Sequence, residues 1–172
     1  MNSVQEVINK YTQELPLMER VYSEELPNPY AIAQDLGSSG VAQLFEEIAA
    51  ISAERERLDK EGEVNCDELD DYWRAATRLA SLVPYQIRLY PYQVIAGLTN
   101  ESRSVRFYVA YCLSKAPVKE ALPQLKLALS YDNDQLLTKV LKEGISACSS
   151  FGRCMKEKIA KYRKSPVEWV NA

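Results

Sequence analysis

Seven carboxylates crowd into the thirteen residues from Asp59 to Asp71: Asp59, Glu61, Glu63, Asp67, Glu68, Asp70 and Asp71. Such a cluster could hold a cation, supply a general acid and base, or attract a basic partner. The rest of the chain narrows that choice. It contains no histidine, which removes Ser-His-Asp and Cys-His nucleophile activation, histidine acid–base catalysis and histidine-containing zinc sites together. Carboxylate, lysine, tyrosine or cysteine chemistry remains. Yet no G-x-x-x-x-G-K-[ST] loop, G-x-G-x-x-G turn or G-x-S-x-G elbow occurs, and the six glycines are scattered singly. The expectation is a binding protein, not an enzyme, with no cofactor and no resident metal.

Three readings compete for the acidic segment. It can be a solvated connection between helices, its carboxylates favouring the positive N-terminal end of the helix that follows. It can be a calcium loop, because Asp59, Glu61, Gly62, Val64 and Glu68 occupy EF-hand positions counted from Arg57. Arg57, however, stands where the first ligand oxygen is needed, and a cation there repels the ion. It can be a protein-binding patch that steers a basic partner and pairs with its lysines and arginines.

Charge along the whole chain favours the last reading. Residues 1–71 carry 17 acids and 5 bases, net −12, whereas residues 72–172 carry 7 acids and 16 bases, net +9. An overall charge of −3 therefore conceals an acidic front and a basic back. In the basic half, Arg88, Arg103, Arg106, Lys115 and Lys119 lie near Tyr85, Tyr90, Tyr92 and Tyr108, a mixture able to hold phosphates and stack bases. Solvated helix faces explain most of these bases, so nucleic acid is the less favoured partner. The cysteines, Cys66, Cys112, Cys148 and Cys154, form no C-x-x-C pair and read as reduced core thiols. Residues 1–10 lack the basic start and apolar run of an export signal, and no apolar stretch approaches the roughly 18 residues of a membrane span, which points to the cytoplasm.

Helices must position these groups. Val41, Leu44, Phe45, Ile48, Ile51, Arg55 and Leu58 recur at spacings of three and four, predicting a helix that starts at Ser38 or Ser39 and ends at Gly62. The next helix carries Leu69, Tyr72, Trp73, Ala76, Leu79, Ala80 and Val83 on its core face. Asn65 opens it, with Glu68 at capping-box spacing, and Pro84 stops it. Earlier, Ser3 and Glu6 make a similar box, and Pro16, Pro27 and Pro29 divide residues 12–36 into short helices. No convincing strand is found. Tyr85–Tyr92 comes closest, but Pro91 interrupts it and a helix-entry turn explains it better.

A weak repeat follows. Val94, Leu98, Val105, Val109 and Ala110 align with Leu125, Leu129, Leu136, Val140 and Leu141 at a constant offset of 31 residues. Pro91 and Pro123 stand near the start of the first helix of each unit, and polar turns at 100–104 and 132–134 precede the second. The segment Glu101-Ser102-Arg103-Ser104-Val105-Arg106, followed by Phe107-Tyr108-Val109-Ala110 and Leu113, resembles the V-R turn and second helix of HEAT repeats over residues 84–150. That resemblance implies an all-α fold of antiparallel helical pairs, a right-handed α-solenoid or bundle of about eight to ten helices. The chain then reads as a single domain, 1–172. It comprises N-terminal helices with the acidic turn (1–83), HEAT-like pairs (84–150) and a basic capping helix and tail (151–172). The capping helix carries Arg153, Lys156, Lys158, Lys161, Arg163 and Lys164, with Met155, Ile159 and Tyr162 on its apolar side. HEAT-like folds of the alkylpurine DNA glycosylase family use a basic surface, but none of that family's catalytic residues carries over.

In size, charge and architecture the chain is similar to immunity proteins that neutralise bacterial nuclease toxins, including those of contact-dependent growth inhibition systems. The resemblance implies a basic toxin domain as partner and occlusion of its active site as mechanism. The rival reading is a general helical-repeat adaptor or scaffold, since a repeat surface serves either role.

Overall fold

The computed structural model describes residues 29–62 and 65–150. Glu63, Val64, Cys154, the short helices expected before residue 29 and the basic capping helix expected after residue 150 lie outside them. Every regular element among the described residues is helical, so the fold is all-α.

Helix α1, Pro29–Glu61, begins at a proline whose missing N–H costs nothing in a first turn. It is two helices joined across a kink at Gly37 (φ 65°, ψ −175°), next to the start expected at Ser38 or Ser39. Ala33, Leu36, Gly40, Val41, Leu44, Phe45 and Ile48 form its buried stripe. The helix ends as expected at Gly62, whose left-handed φ of 66° suits a residue without Cβ and whose N–H donates to Leu58 O at 3.1 Å.

Helix α2, Cys66–Ala80, starts where Asn65 Oδ1 accepts the Glu68 N–H at 2.9 Å, the cap read from the sequence. Pro84 does not stop α2, which ends at Ala80, short of the expected Val83. It sits in the first turn of a further short helix, α3, Val83–Leu89. The segment expected to be a helix-entry turn is thus itself helical up to Leu89, and Pro91 opens α4, Pro91–Ala96. Helix α3 is the most enclosed element: Val83 through Ile87 are all buried, including Gln86, whose Nε2 donates to Ala33 O of α1 at 3.2 Å.

A 3-10 turn, Gly97–Thr99, extends α4. It is followed by α5, Arg103–Lys115, a second 3-10 turn, Lys119–Ala121, α6, Leu122–Tyr131, and α7, Gln135–Ser149. One hydrophobic cluster runs from Leu36 in α1 to Cys148 in α7, with α5 packed most extensively on α7 and α1 on α2. Each fully buried Leu, Ile or Val contributes about 1.5–3 kcal/mol. Gly97 is where α1 meets this layer: a Cβ there would lie 2.6 Å from Phe45 Cε2 and 2.9 Å from Val109 Cγ2.

The repeat offset of 31 requires correction. It holds for the first helices, where Val94 and Leu98 match Leu125 and Leu129, but the second helices are offset by 32. Leu136, the expected equivalent of Val105, is 51% exposed, and Leu137 takes the buried place. The turns confirm the register. Ser102 N–H donates to Asn100 Oδ1 at 2.8 Å, and Asp134 N–H donates to Asp132 Oδ1 at 3.1 Å, so 100 matches 132 and 102 matches 134. The extra residue lies in α6, which runs one residue longer than α4 and its 3-10 extension together.

Candidate acidic and aromatic interface

The carboxylates of the acidic segment are carried by two helix ends. Asp59 and Glu61 stand on the last turn of α1, and Asp67, Glu68, Asp70 and Asp71 on the first turns of α2. All six are exposed, and Glu63 lies between them in the chain, outside the described residues. Two of the six are already paired: Glu61 with Arg57, which also binds Glu54 at 2.7 Å, and Asp71 with Arg74 at 3.1 Å. The hydrogen bond from Arg57 holds the Glu54 carboxyl below its usual range, and the same pair raises the Arg57 guanidinium. Asp59, Asp67, Glu68 and Asp70 make no salt bridge among the described residues. Asp67 and Glu68 stabilise the N-terminal end of α2 through its dipole, which leaves their outward oxygens to solvent. Among the described residues, no three His, Cys, Asp or Glu side chains converge on a point that could hold a metal.

Trp73 departs from its expected place in the core. It is 53% exposed. Helix α2 buries Ala76, Leu79 and Ala80, and Leu69 and Tyr72 are half-buried. Trp73 falls at the edge of that stripe, on the side of Asp70 and Thr77, its neighbours at three and four residues. There it borders a cleft of about 160 Å³ between the second half of α1, α2 and the start of α5. Tyr72, Trp73, Phe107 and Tyr108 supply the aromatic walls, and Glu56, Arg55 and Arg103 the charged rim. A hydrogen bond between Thr77 Oγ1 and Tyr108 Oη, 3.1 Å, joins α2 to α5, and Arg55 Nε donates to Leu69 O at 3.2 Å, joining α1 to α2. The aromatic surface continues along α5: Phe107 stacks on Tyr111 with ring centroids 6.3 Å apart, and Lys115 Nζ sits 5.2 Å from the centre of the Tyr111 ring. Sequence periodicity could not separate Trp73 from its core neighbours, because spacing puts an edge residue and a central one on the same face.

The basic residues considered for nucleic acid are largely committed within the fold. Arg103 forms a two-point pair with Asp134 (2.8 and 3.0 Å), and Arg106 binds Asp132 at 3.0 Å and the carbonyls of Asn100 and Glu101. Arg88 donates to Pro117 O, and Tyr85 is buried. The Arg103 bond, reinforced by the Leu137 N–H, holds the Asp134 carboxyl below its usual range, and the same contact raises the Arg103 guanidinium. Among the cysteines, Cys112 and Cys148 are buried free thiols, as expected, whereas Cys66 is exposed at the first turn of α2. That position leaves it outside the buried stripe. Burial pushes the Cys112 thiol up to about 12 and raises Cys148 as well, so the Cys112 thiolate is scarce at neutral pH.

No helix among the described residues is long and apolar enough to cross a membrane. No protein-family model matches the chain, and no characterised protein or solved structure is significantly similar to it.

Proposed function

We propose that the chain is a non-catalytic binding module that neutralises a basic, nuclease-type bacterial toxin in the cytoplasm by covering its active site. The observation that carries this reading is the α1–α2 junction, where four exposed carboxylates, Asp59, Asp67, Glu68 and Asp70, have no ion-pair partner among the described residues. A nuclease domain is typically cationic where it meets its substrate's phosphates. An acidic surface competes for that region and speeds encounter by electrostatic steering. A HEAT-like stacking of the α4–α5 and α6–α7 pairs is part of the proposal, supported by the matching Asn100 and Asp132 turns and by the Arg106–Asp132 pair that joins them.

Co-expression tests it. The chain should protect cells from the toxin encoded beside its gene, and replacing Asp67, Glu68, Asp70 and Asp71 together by lysine should abolish protection while the circular dichroism spectrum stays helical. Full protection by that variant would remove the acidic junction from the interface.

A further inference from the structure

We infer that the cleft between α1, α2 and α5 receives an arginine side chain from a basic protein partner, stacked against Trp73 and closed at its head by Glu56. The inference rests on the proposed acidic interface and names its anchor. A steering patch alone gives rate and selectivity, whereas affinity concentrates in a few aromatic or guanidinium contacts in a desolvated pocket. Trp73, half out of the protein beside Asp70, with Tyr72 and Phe107 lining the same cleft, offers such a pocket at the edge of the acidic junction.

The charge of the surroundings selects a cation. The described residues among 54–74 hold eight acids and four bases, net −4. Of the two guanidiniums that border the cleft, Arg103 is held at two points by Asp134, and Arg55 donates its Nε to Leu69 O. Glu56 lines the same cleft, where its charge also acts on Arg103, and makes no salt bridge among the described residues. A planar guanidinium can stack on an indole face and present its edge to a carboxylate at once, which an ammonium cannot do. Lys115 over Tyr111 on the same face of α5 is an internal example of a cation resting on an aromatic ring.

The test is a titration of the isotopically labelled full chain with hexa-arginine amide, followed by NMR, with the Trp73 indole signal identified by its loss in Trp73→Phe. The Trp73 indole and Phe107 amide signals should shift and saturate together with the amides of Asp67 and Asp70. Trp73→Ala should weaken binding about tenfold, the scale of a single aromatic anchor, and Glu56→Gln about threefold to tenfold. If the Asp67 and Asp70 amides respond while Trp73 and Phe107 stay fixed, the cleft inference fails and the acidic junction stands. If Trp73 and Phe107 respond alone, the junction reading fails and the cleft stands. Silence at both overturns both. Hexa-glutamate moving Trp73 would show a cleft governed by Arg55 and Arg103, and would overturn the assignment of a cationic occupant.

Discussion

The chain places carboxylates at two interhelical turns and treats them oppositely. At the turn between α6 and α7, Asp132 and Asp134 face Arg106 and Arg103 of the preceding unit, and Asp134 also caps α7 by accepting the Leu137 N–H at 2.8 Å. At the junction of α1 and α2, Asp59, Asp67, Glu68 and Asp70 face water. The first set joins two helical pairs and is saturated by that work. The second has charge to offer an outside partner. Acidic residues at a turn therefore do not by themselves mark an interface, and the cation supplied from elsewhere in the fold decides which kind a turn is.

The largest effect should come from the saturated turn. Asp132 is 7% exposed and its partner Arg106 19%, so Asp132→Ala leaves a largely enclosed guanidinium without its anion and should cost about 2–4 kcal/mol in urea denaturation. Arg106→Ala should cost a similar amount, because it leaves the more buried Asp132 carboxylate with the Asp134 N–H at 3.1 Å in place of its cation. A loss below about 1 kcal/mol in Asp132→Ala would mean that the pair is surface decoration and would erase the contrast between the turns.

These pairs also mark where sequence reading stops. The partners lie 26 and 31 residues apart, so no local pattern links them, and Arg103 and Arg106 read equally well as phosphate ligands until their anions are in place. What could be read depended on nearest neighbours. Asn65 and Gly62 set the ends of α2 and α1 through their own hydrogen bonds and backbone, and the three-and-four spacing picked out the buried stripe of α1. Trp73 and Leu136 are exposed where their spacing predicts burial, because periodicity defines a face and not its edge. Leu136 and Leu137 are adjacent and chemically identical, and only the Asp132–Asp134 turn, by fixing where α7 begins, decides which of them is buried.

Asp134→Asn sharpens the comparison with a smaller effect. Asparagine still caps α7, so the variant isolates the charge that Arg103 stabilises. The folded carboxyl titrates below its ordinary value of 3.8. Its contribution is therefore present above that value and is lost as pH falls through the lower, folded one. Wild type should exceed the variant by less than about 1 kcal/mol at pH 7, as befits a partly exposed pair, and the two stability curves should converge below about pH 4. Curves that stay parallel down to pH 2 would assign the difference to capping geometry instead of the ion pair.

The smallest effect should be at the α1–α2 junction. Asp59→Asn and Asp70→Asn remove exposed charges that have no ion-pair partner among the described residues, so each should change stability by less than about 0.5 kcal/mol. Both variants relieve repulsion among neighbouring acids, so the sign should be slightly stabilising at low salt and fade as ionic strength rises. A turn retained only for solubility would behave the same way, which is why the measurement must be paired with binding. The two substitutions together should slow association with a cationic probe protein and flatten its salt dependence, while dissociation changes little. If folding loses more than about 1 kcal/mol instead, these carboxylates are structural after all, and the two turns differ in degree and not in kind.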